Sequence, residues 1–382
     1  MNGSWPLVPL GEAIMHRKEF VRISDFETYK RCRVQLHAKG IVLRDTVSGA
    51  EIKTKDQQVC RAGEFLVAEI DAKVSGFGVV PDELDGSIVS SHYFLFEVND
   101  RKLDRRFLDY FVRTPFFRDQ VAARGSTNYA AIRPHHVLQY QISLPPLPEQ
   151  QRIVARIEAL ATKINEAGNL GIEAEKEREL LLMAAYRRIA ENAPRRALGE
   201  VAPLTRRPVS VDPENEYPQI AVRSFGRGTF HKPPLAGRDI TWQKPFFVQA
   251  GDILISNIKA WEGAIAVVAK KDDGRVGSHR YLTCVPKPSV TTARFVCFYL
   301  LTPQGLYNVG EASPGSADRN RTLSSKALVD IQIPVPPFEQ QLWFDDIYQR
   351  IEAAKRLEAE TAAELDALLP SILDKAFKGE LG

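Results

Sequence analysis

The groups in this chain best suited to chemistry are cations, amides, hydroxyls and aromatic rings gathered on short polar stretches, and that chemistry is contact with a polyanion. In "EIKTKDQQ", Lys53 and Lys55 could neutralise phosphates, and the amides of Gln57 and Gln58 could pair bidentately with an adenine edge in a major groove. A solvated polar turn accounts for the same stretch equally well. His92 and Tyr93 in "VSSHYFLFEV" add an imidazole and a phenol. "ARGSTNYAAIRP" sets Arg124, Ser126, Thr127, Asn128 and Tyr129 on a glycine-hinged loop, and "SPGSADRNRTL" offers Ser316, Arg319, Asn320 and Arg321, residue types that suit phosphate and base-edge contacts. Later stretches supply Arg223, Arg227, His231 and Lys232, then Lys259 and Trp261, then His279 and Arg280. A lone Trp such as Trp261 is more often core than contact.

Catalysis has no comparable set. "GEASPGSA" has the glycines of a phosphate loop without its lysine, and the adjacent His135 and His136 cannot share one face of a helix or strand to hold a metal. Cys32, Cys60, Cys284 and Cys297 stand singly, with no C-x-x-C pair, as expected of buried thiols in a reducing compartment. With 44% hydrophobic and 26% charged residues and no apolar run of the ~20 residues a membrane span needs, the 382-residue chain reads as a soluble, two-domain, cytoplasmic binding protein. Its formal charge of +3 hides a division: residues 1–147 and 195–337 sum to +9, and 148–194 and 338–382 to −6.

These clusters must be held by repeated elements, because the second half of the chain lies on the first. "GEFLVAEIDAKVSGFGVV" at 63 matches "GDILISNIKAWEGAIAVV" at 251 without a gap, an offset of 188. "RFLDYFVRTP" matches "RFVCFYLLTP", and the two "EQQ" triplets stand 190 apart. "EIKTKDQQ" finds no obvious counterpart in the second copy. Each copy reads as an α+β module: apolar strands entered through a Gly-acid turn, then a helix pair broken at Thr114-Pro115. The modules span 1–147 and 195–337, each followed by a helical region, 148–194 and 338–382. Apolar residues at steps of three and four predict a coiled-coil seam through Ile153, Ile157, Leu160 and Ile164, with a break at "GNLG", and a second through Ile347, Ile351, Ala354, Leu357, Leu365 and Leu368. Two such helices would pack as an antiparallel pair.

With that plan in hand, the sequence resembles the specificity subunit of type I restriction-modification enzymes. The phrases that carry the resemblance are "ISLPPLPEQQRIVARIEAL", "IQIPVPPFEQQ", the "GST" and "GSA" loops, and the ending "LLPSILDKAFKGELG", whose first copy reads "LLLMAAYRRI" with Tyr186 in the place of Phe377. The resemblance implies two target-recognition domains with a pseudo-twofold repeat, each reading half of a split double-stranded DNA sequence, with the helices as spacer. It further implies a chain without catalysis or cofactor of its own. The partners would be two adenine methyltransferase subunits using S-adenosylmethionine and up to two restriction/translocase subunits using ATP and Mg. The competing reading is a coiled-coil scaffold whose modules bind proteins rather than DNA.

Overall fold

The computed structural model describes residues 5–123, 132–240, 244–315 and 321–380. The chain divides into two compact units, residues 1–172 with 358–382, and residues 173–357.

Unit 1 carries a five-stranded mixed sheet and a four-stranded antiparallel sheet. The long hairpin Thr28–Gln35 and Gly40–Ser48 forms one edge of the larger sheet, and the short strand Ile88–Val89 pairs parallel to it. The smaller sheet is centred on Phe65–Ala68 and Tyr93–Val98. Phe65–Ala68 is buried at every position, so its sequence is an unbroken apolar run rather than an alternating one. Behind it lie the helices Arg105–Phe111 and Pro115–Ala123, separated where the sequence places Thr114-Pro115. Asp104 starts the first of these by accepting hydrogen bonds from the amides of Arg106 and Phe107. Phe65, Phe77, Phe96, Phe107, Phe111 and Phe117 fill the space between sheet and helices.

Unit 2 repeats this plan with the same spacing. Ile253–Ser256, Ile265–Val267 and Tyr281–Cys284 form its inner sheet, and Glu216–Val222 with Thr229–Ala236 its long hairpin. Four of these strands start 188 residues after their counterparts in unit 1, and the second strand of the hairpin starts 189 after its own. The repeat reaches individual contacts. Tyr29 Oη accepts from the Ser24 amide at 3.0 Å and Tyr217 Oη from the Asp212 amide at 2.7 Å. A Cβ added at Gly49 would collide with the Ser24 carbonyl, and one at Gly237 with that of Asp212, so both positions exclude any larger residue.

The acid of each Gly-acid turn does more than end a turn. Glu64 is buried and paired with Arg17, and Asp252, 2% exposed, accepts both terminal nitrogens of Arg207 at 2.6 and 3.1 Å. Such planar two-point pairing compensates the desolvation of the charges better than a single contact. "EIKTKDQQ" does have a counterpart, Asp239–Phe246: Gln58 and Phe246 stand 188 apart, and each lies on a strand that pairs with the short strand Ile88–Val89 or Val276–Gly277. Substitution at nearly every position hid the match.

The repeated helix-start phrase also reads differently in three dimensions. Gln150 and Gln341 are both fully buried and stand 191 apart, so the working motif is Pro-Pro-x-x-x-Gln and the "EQQ" triplets are one residue out of register. Gln150 Oε1 accepts the Asp104 amide at 2.8 Å, and its Nε2 donates to the carbonyls of Lys102 and Pro145, each at 2.8 Å. Gln341 Oε1 accepts from Thr291 Oγ1 at 2.8 Å and the Thr292 amide at 3.1 Å, and its Nε2 donates to the carbonyls of Val290 and Pro336. One amide thus ties helix, proline turn and module together.

The two long helices run Leu147–Ala190 and Phe338–Phe377. The first is continuous through "GNLG", contrary to the predicted break, because Gly168 and Gly171 sit within it at a cost of only about 1 kcal/mol each. Within unit 1, Ile153, Val154 and Ile157 share a core with Leu373 and Ala376, and Phe377 lies 4.9 Å from Phe107 and 5.3 Å from Phe111. Within unit 2, Tyr186 takes the same role against Phe295 at 5.6 Å and Phe298 at 5.2 Å. In each unit, therefore, the start of one helix packs with the end of the other. Leu160, Ile164, Ile347 and Leu365 are half-buried and Ile351 is buried, as a seam requires. Ala354, Leu357 and Leu368 are exposed instead: from Ile351 the covered side steps to Lys355, Glu358, Leu365, Leu369, Ile372 and Ala376, one residue later than the apolar count predicts.

Candidate nucleic-acid interface

In unit 1 a concavity of about 390 Å³ opens between the long hairpin and the turn before Tyr93–Val98. Its walls bring together Lys53, Gln57 and Tyr93 from the sequence-based set with Arg31, Arg44, Thr54 and Ser90, which that set lacks. Arg31 is held in a two-point pair by Asp45, at 2.6 and 2.7 Å, and its guanidinium keeps the Asp45 carboxyl below the usual carboxylate range. Arg44 is 57% exposed and lies 3.6 Å from the same carboxylate. Strict alternation along "TYKRCRVQ" would not put Arg31 here, because the pairing register shifts between Arg31 and Cys32. The groove's electrostatic character comes from these two arginines and Lys53, with Glu51 the one carboxylate in its lining.

Three predicted contacts on this side turn inward. Gln58 is 3% exposed and its amide donates to the carbonyls of Ser90 at 3.1 Å and Tyr93 at 2.8 Å; Gln57 donates to the Thr54 carbonyl at 2.7 Å. Lys55 is bound by Asp25 and by the Gly49 carbonyl at 2.7 Å. Spacing made them look like readers, but their polar atoms are consumed in shaping the groove. Burial pushes the Tyr93 phenol up, so it remains a neutral donor.

Beside the groove, three segments meet at the end of the strand Phe65–Ala68. The Glu69 amide donates to the His92 carbonyl at 2.8 Å, and the Ile132 amide donates to the Glu69 carbonyl at 3.2 Å. The Glu69 carboxylate then gathers His92 Nδ1 at 2.9 Å and Arg133 Nη1 at 2.8 Å. Arg124, Ser126, Thr127, Asn128 and Tyr129 lie outside the described residues, while Ile132 and Arg133 are held at this point.

Unit 2 builds the same junction with different side chains. The Asn257 amide donates to the Arg280 carbonyl at 2.9 Å and the Leu323 amide to the Asn257 carbonyl at 2.7 Å. Trp261 is half-buried, with the Lys259 ammonium 5.9 Å and the Arg321 guanidinium 5.2 Å from its ring centre. Arg321 also donates to the carbonyls of Ser313 and Gly310, each at 2.9 Å, so it braces the loop more than it faces outward. The hairpin tip is clamped alongside by the Phe225 amide to the Glu262 carbonyl at 2.7 Å and the Gly226 amide to that of Gly263 at 2.9 Å. That clamp holds Phe225, 71% exposed, in the left-handed region at φ 63°, with Arg227 stacked on it at 5.7 Å. Arg223 stacks on Phe230 at 5.0 Å, and Lys232 is exposed on the same hairpin, 188 residues after Arg44. His231 is tied at 2.7 Å to Asp272, a fully buried carboxylate that also accepts from Thr229 Oγ1 at 2.7 Å. Burial opposes ionisation of Asp272, but these two donors outweigh it and hold its carboxyl below the ordinary range. His279 is half-buried. Ser316, Arg319 and Asn320 lie outside the described residues.

Among the described residues no group of His, Cys, Asp and Glu is placed to hold a metal ion, and no helix is long and apolar enough to cross a membrane. The four thiols are buried, and burial raises those of Cys284 and Cys297 to about 12, which leaves them unreactive near neutrality.

Comparison with known proteins agrees with this arrangement. Residues 18–174 match the family model described as type I restriction modification DNA specificity domain. The fold is similar to the crystal structure of the HsdS subunit from Thermoanaerobacter tengcongensis, with 26% identity, 99% of this chain and 97% of that chain covered, and a TM-score of 0.63. It is also similar to a chain from a structure concerned with complex assembly and conformational transition of the type I R-M system, at 27% identity, 99% and 98% coverage and a TM-score of 0.71. No curated protein sequence matches the chain. A duplicated α+β module, a long helix after each copy, and likeness along nearly the whole chain make it similar to the HsdS subunits of type I restriction-modification systems, and residues 18–174 to their DNA specificity domain.

Proposed function

We propose that the chain reads a bipartite DNA target, one half-site per module, and docks the subunits that act on that DNA. The observation that carries this is the equivalence of the two junctions at Glu69 and Asn257: the backbone brings the same three segments together in both units, while the side chains presented there differ. Two identical frames with unlike readers suit two unlike half-sites. Cations at the groove and around Trp261 supply phosphate attraction, and base-edge groups beside them supply discrimination.

The partners are two adenine methyltransferase subunits working with S-adenosylmethionine and up to two restriction/translocase subunits using ATP and Mg, acting in the cytoplasm where the DNA lies. Their docking is supported by large apolar side chains left exposed on the helical segments. In unit 1 these are Leu170, Ile172 and Leu368, and in unit 2 Leu180, Leu181, Leu342, Trp343 and Leu357. Exposed aliphatic groups on a helix whose other side is already packed mark a surface with a partner. Mapping N6-methyladenine in a host that expresses the chain with its methyltransferase subunit tests the proposal. A two-part motif with an unread gap is expected, and random or absent methylation contradicts it.

A further inference from the structure

The equivalent residues Glu69 and Asn257 stand 188 apart, as do His92 and Arg280, which follow them at the same main-chain bond. The frame is therefore common and the chemistry is not. In unit 1 the carboxylate binds His92 through Nδ1 and Arg133 through Nη1, at 2.9 and 2.8 Å, although His92 is 68% and Arg133 59% exposed. Two long exposed groups are thus fixed in direction, with His92 Nε2 left for a ligand. In unit 2 the neutral amide of Asn257 makes no such capture. Its Oδ1 is buried without a hydrogen-bond partner among the described residues, and the exposed Arg280 guanidinium makes no ion pair among them.

We propose that position 69/257 sets base preference by deciding whether the side chain at position 92/280 is held or free. Glu69 is a positioning residue that presents His92 and Arg133 in one fixed arrangement. Asn257 leaves Arg280 able to pair bidentately with O6 and N7 of guanine in the major groove, the commonest specific arginine contact. The inference rests on the reading of one half-site per module.

The test is methylation mapping with the full chain and its methyltransferase subunit, comparing the wild type with Asn257→Glu, Arg280→Ala, Glu69→Gln and Glu69→Asn. Asn257→Glu and Arg280→Ala are each expected to lower guanine preference at one and the same position of the second half-site by roughly ten-fold, with the first half-site unchanged. The Glu69 variants are expected to relax the first half-site alone. A uniform fall in methylation with every preferred base retained would mean that these residues only support the fold, and would overturn the proposal. So would unaltered motifs in all four variants. A wild type without a two-part motif would remove the underlying reading as well, which separates the two failures.

Discussion

At the scale of single residues, the side chains the fold depends on most are polar ones in buried places. Gln150 and Gln341 each satisfy three or more partners at a helix start, so Gln150→Ala or Gln341→Ala leaves buried amides and carbonyls unpaired. At roughly 1–3 kcal/mol for each unsatisfied group, either substitution should lower stability by a few kcal/mol, read as a fall in the denaturant midpoint. Asp272 gives a pH signature. Its carboxyl is lowered from 3.8 in the folded chain, so it stabilises above the unfolded value and the benefit is lost as pH falls through the folded one. Asp272→Asn should therefore be less stable than the wild type at neutral pH and lose less on going from pH 5 to pH 3. An identical acid response in the two proteins would contradict this assignment. Neither role could be read from sequence: Gln150 sits in a visible motif, but whether its amide points out to a ligand or back into the chain depends on the proline turn.

At the scale of elements, the strands and helix pair were legible because apolar runs and Thr114-Pro115 report backbone state directly. The seam of the second long helix was legible only in part. Counting apolar residues selected Leu357 and Leu368, but the covered side admits Lys355 and Glu358, whose long stems can lie along a seam while their charged ends reach water. The two choices separate experimentally. Ile157→Ala removes a fully buried side chain and should cost about 2–5 kcal/mol, whereas Leu357→Ala, at a position 65% exposed, should change stability by about 0.5 kcal/mol or less, both read by thermal unfolding. The recognition surface was the least legible part. The sequence pointed to segments that the fold brings together, including those of Lys53, His92, Lys259 and Arg280, yet Arg31 escaped because the pairing register shifts beside it, and Gln58 was included although it is buried. Propensity and spacing locate a turn, but the direction of its side chains follows from tertiary pairing.

For the whole molecule, the two modules share a frame and each long helix has one end in each unit. Helix length then bears on target spacing. Four residues inserted near Gly168 add about 6 Å of helix against ~3.4 Å per base pair, so the unread gap should change by one or two base pairs. Methylation mapping of the insertion strain checks it, and an unchanged gap would mean that the helix does not measure. DNA affinity should also fall steeply between 50 and 300 mM salt, because the groove and the Trp261 cluster are built from cations. A Kd insensitive to salt would favour protein partners for these surfaces.

The division of the chain also orders its birth. Unit 2 is one continuous stretch, 173–357, so a ribosome has delivered all of it before unit 1 receives residues 358–382. Until then Phe107 and Phe111 lack Phe377, and Ile153, Val154 and Ile157 lack Leu373 and Ala376. The unit whose synthesis begins first is thus the one that closes last, and its apolar seat stays open for some 200 codons, or about 10–40 seconds at 5–20 residues per second. During that interval the nascent chain is exposed to mispairing with a neighbouring copy, which could lend the missing helix end in place of its own.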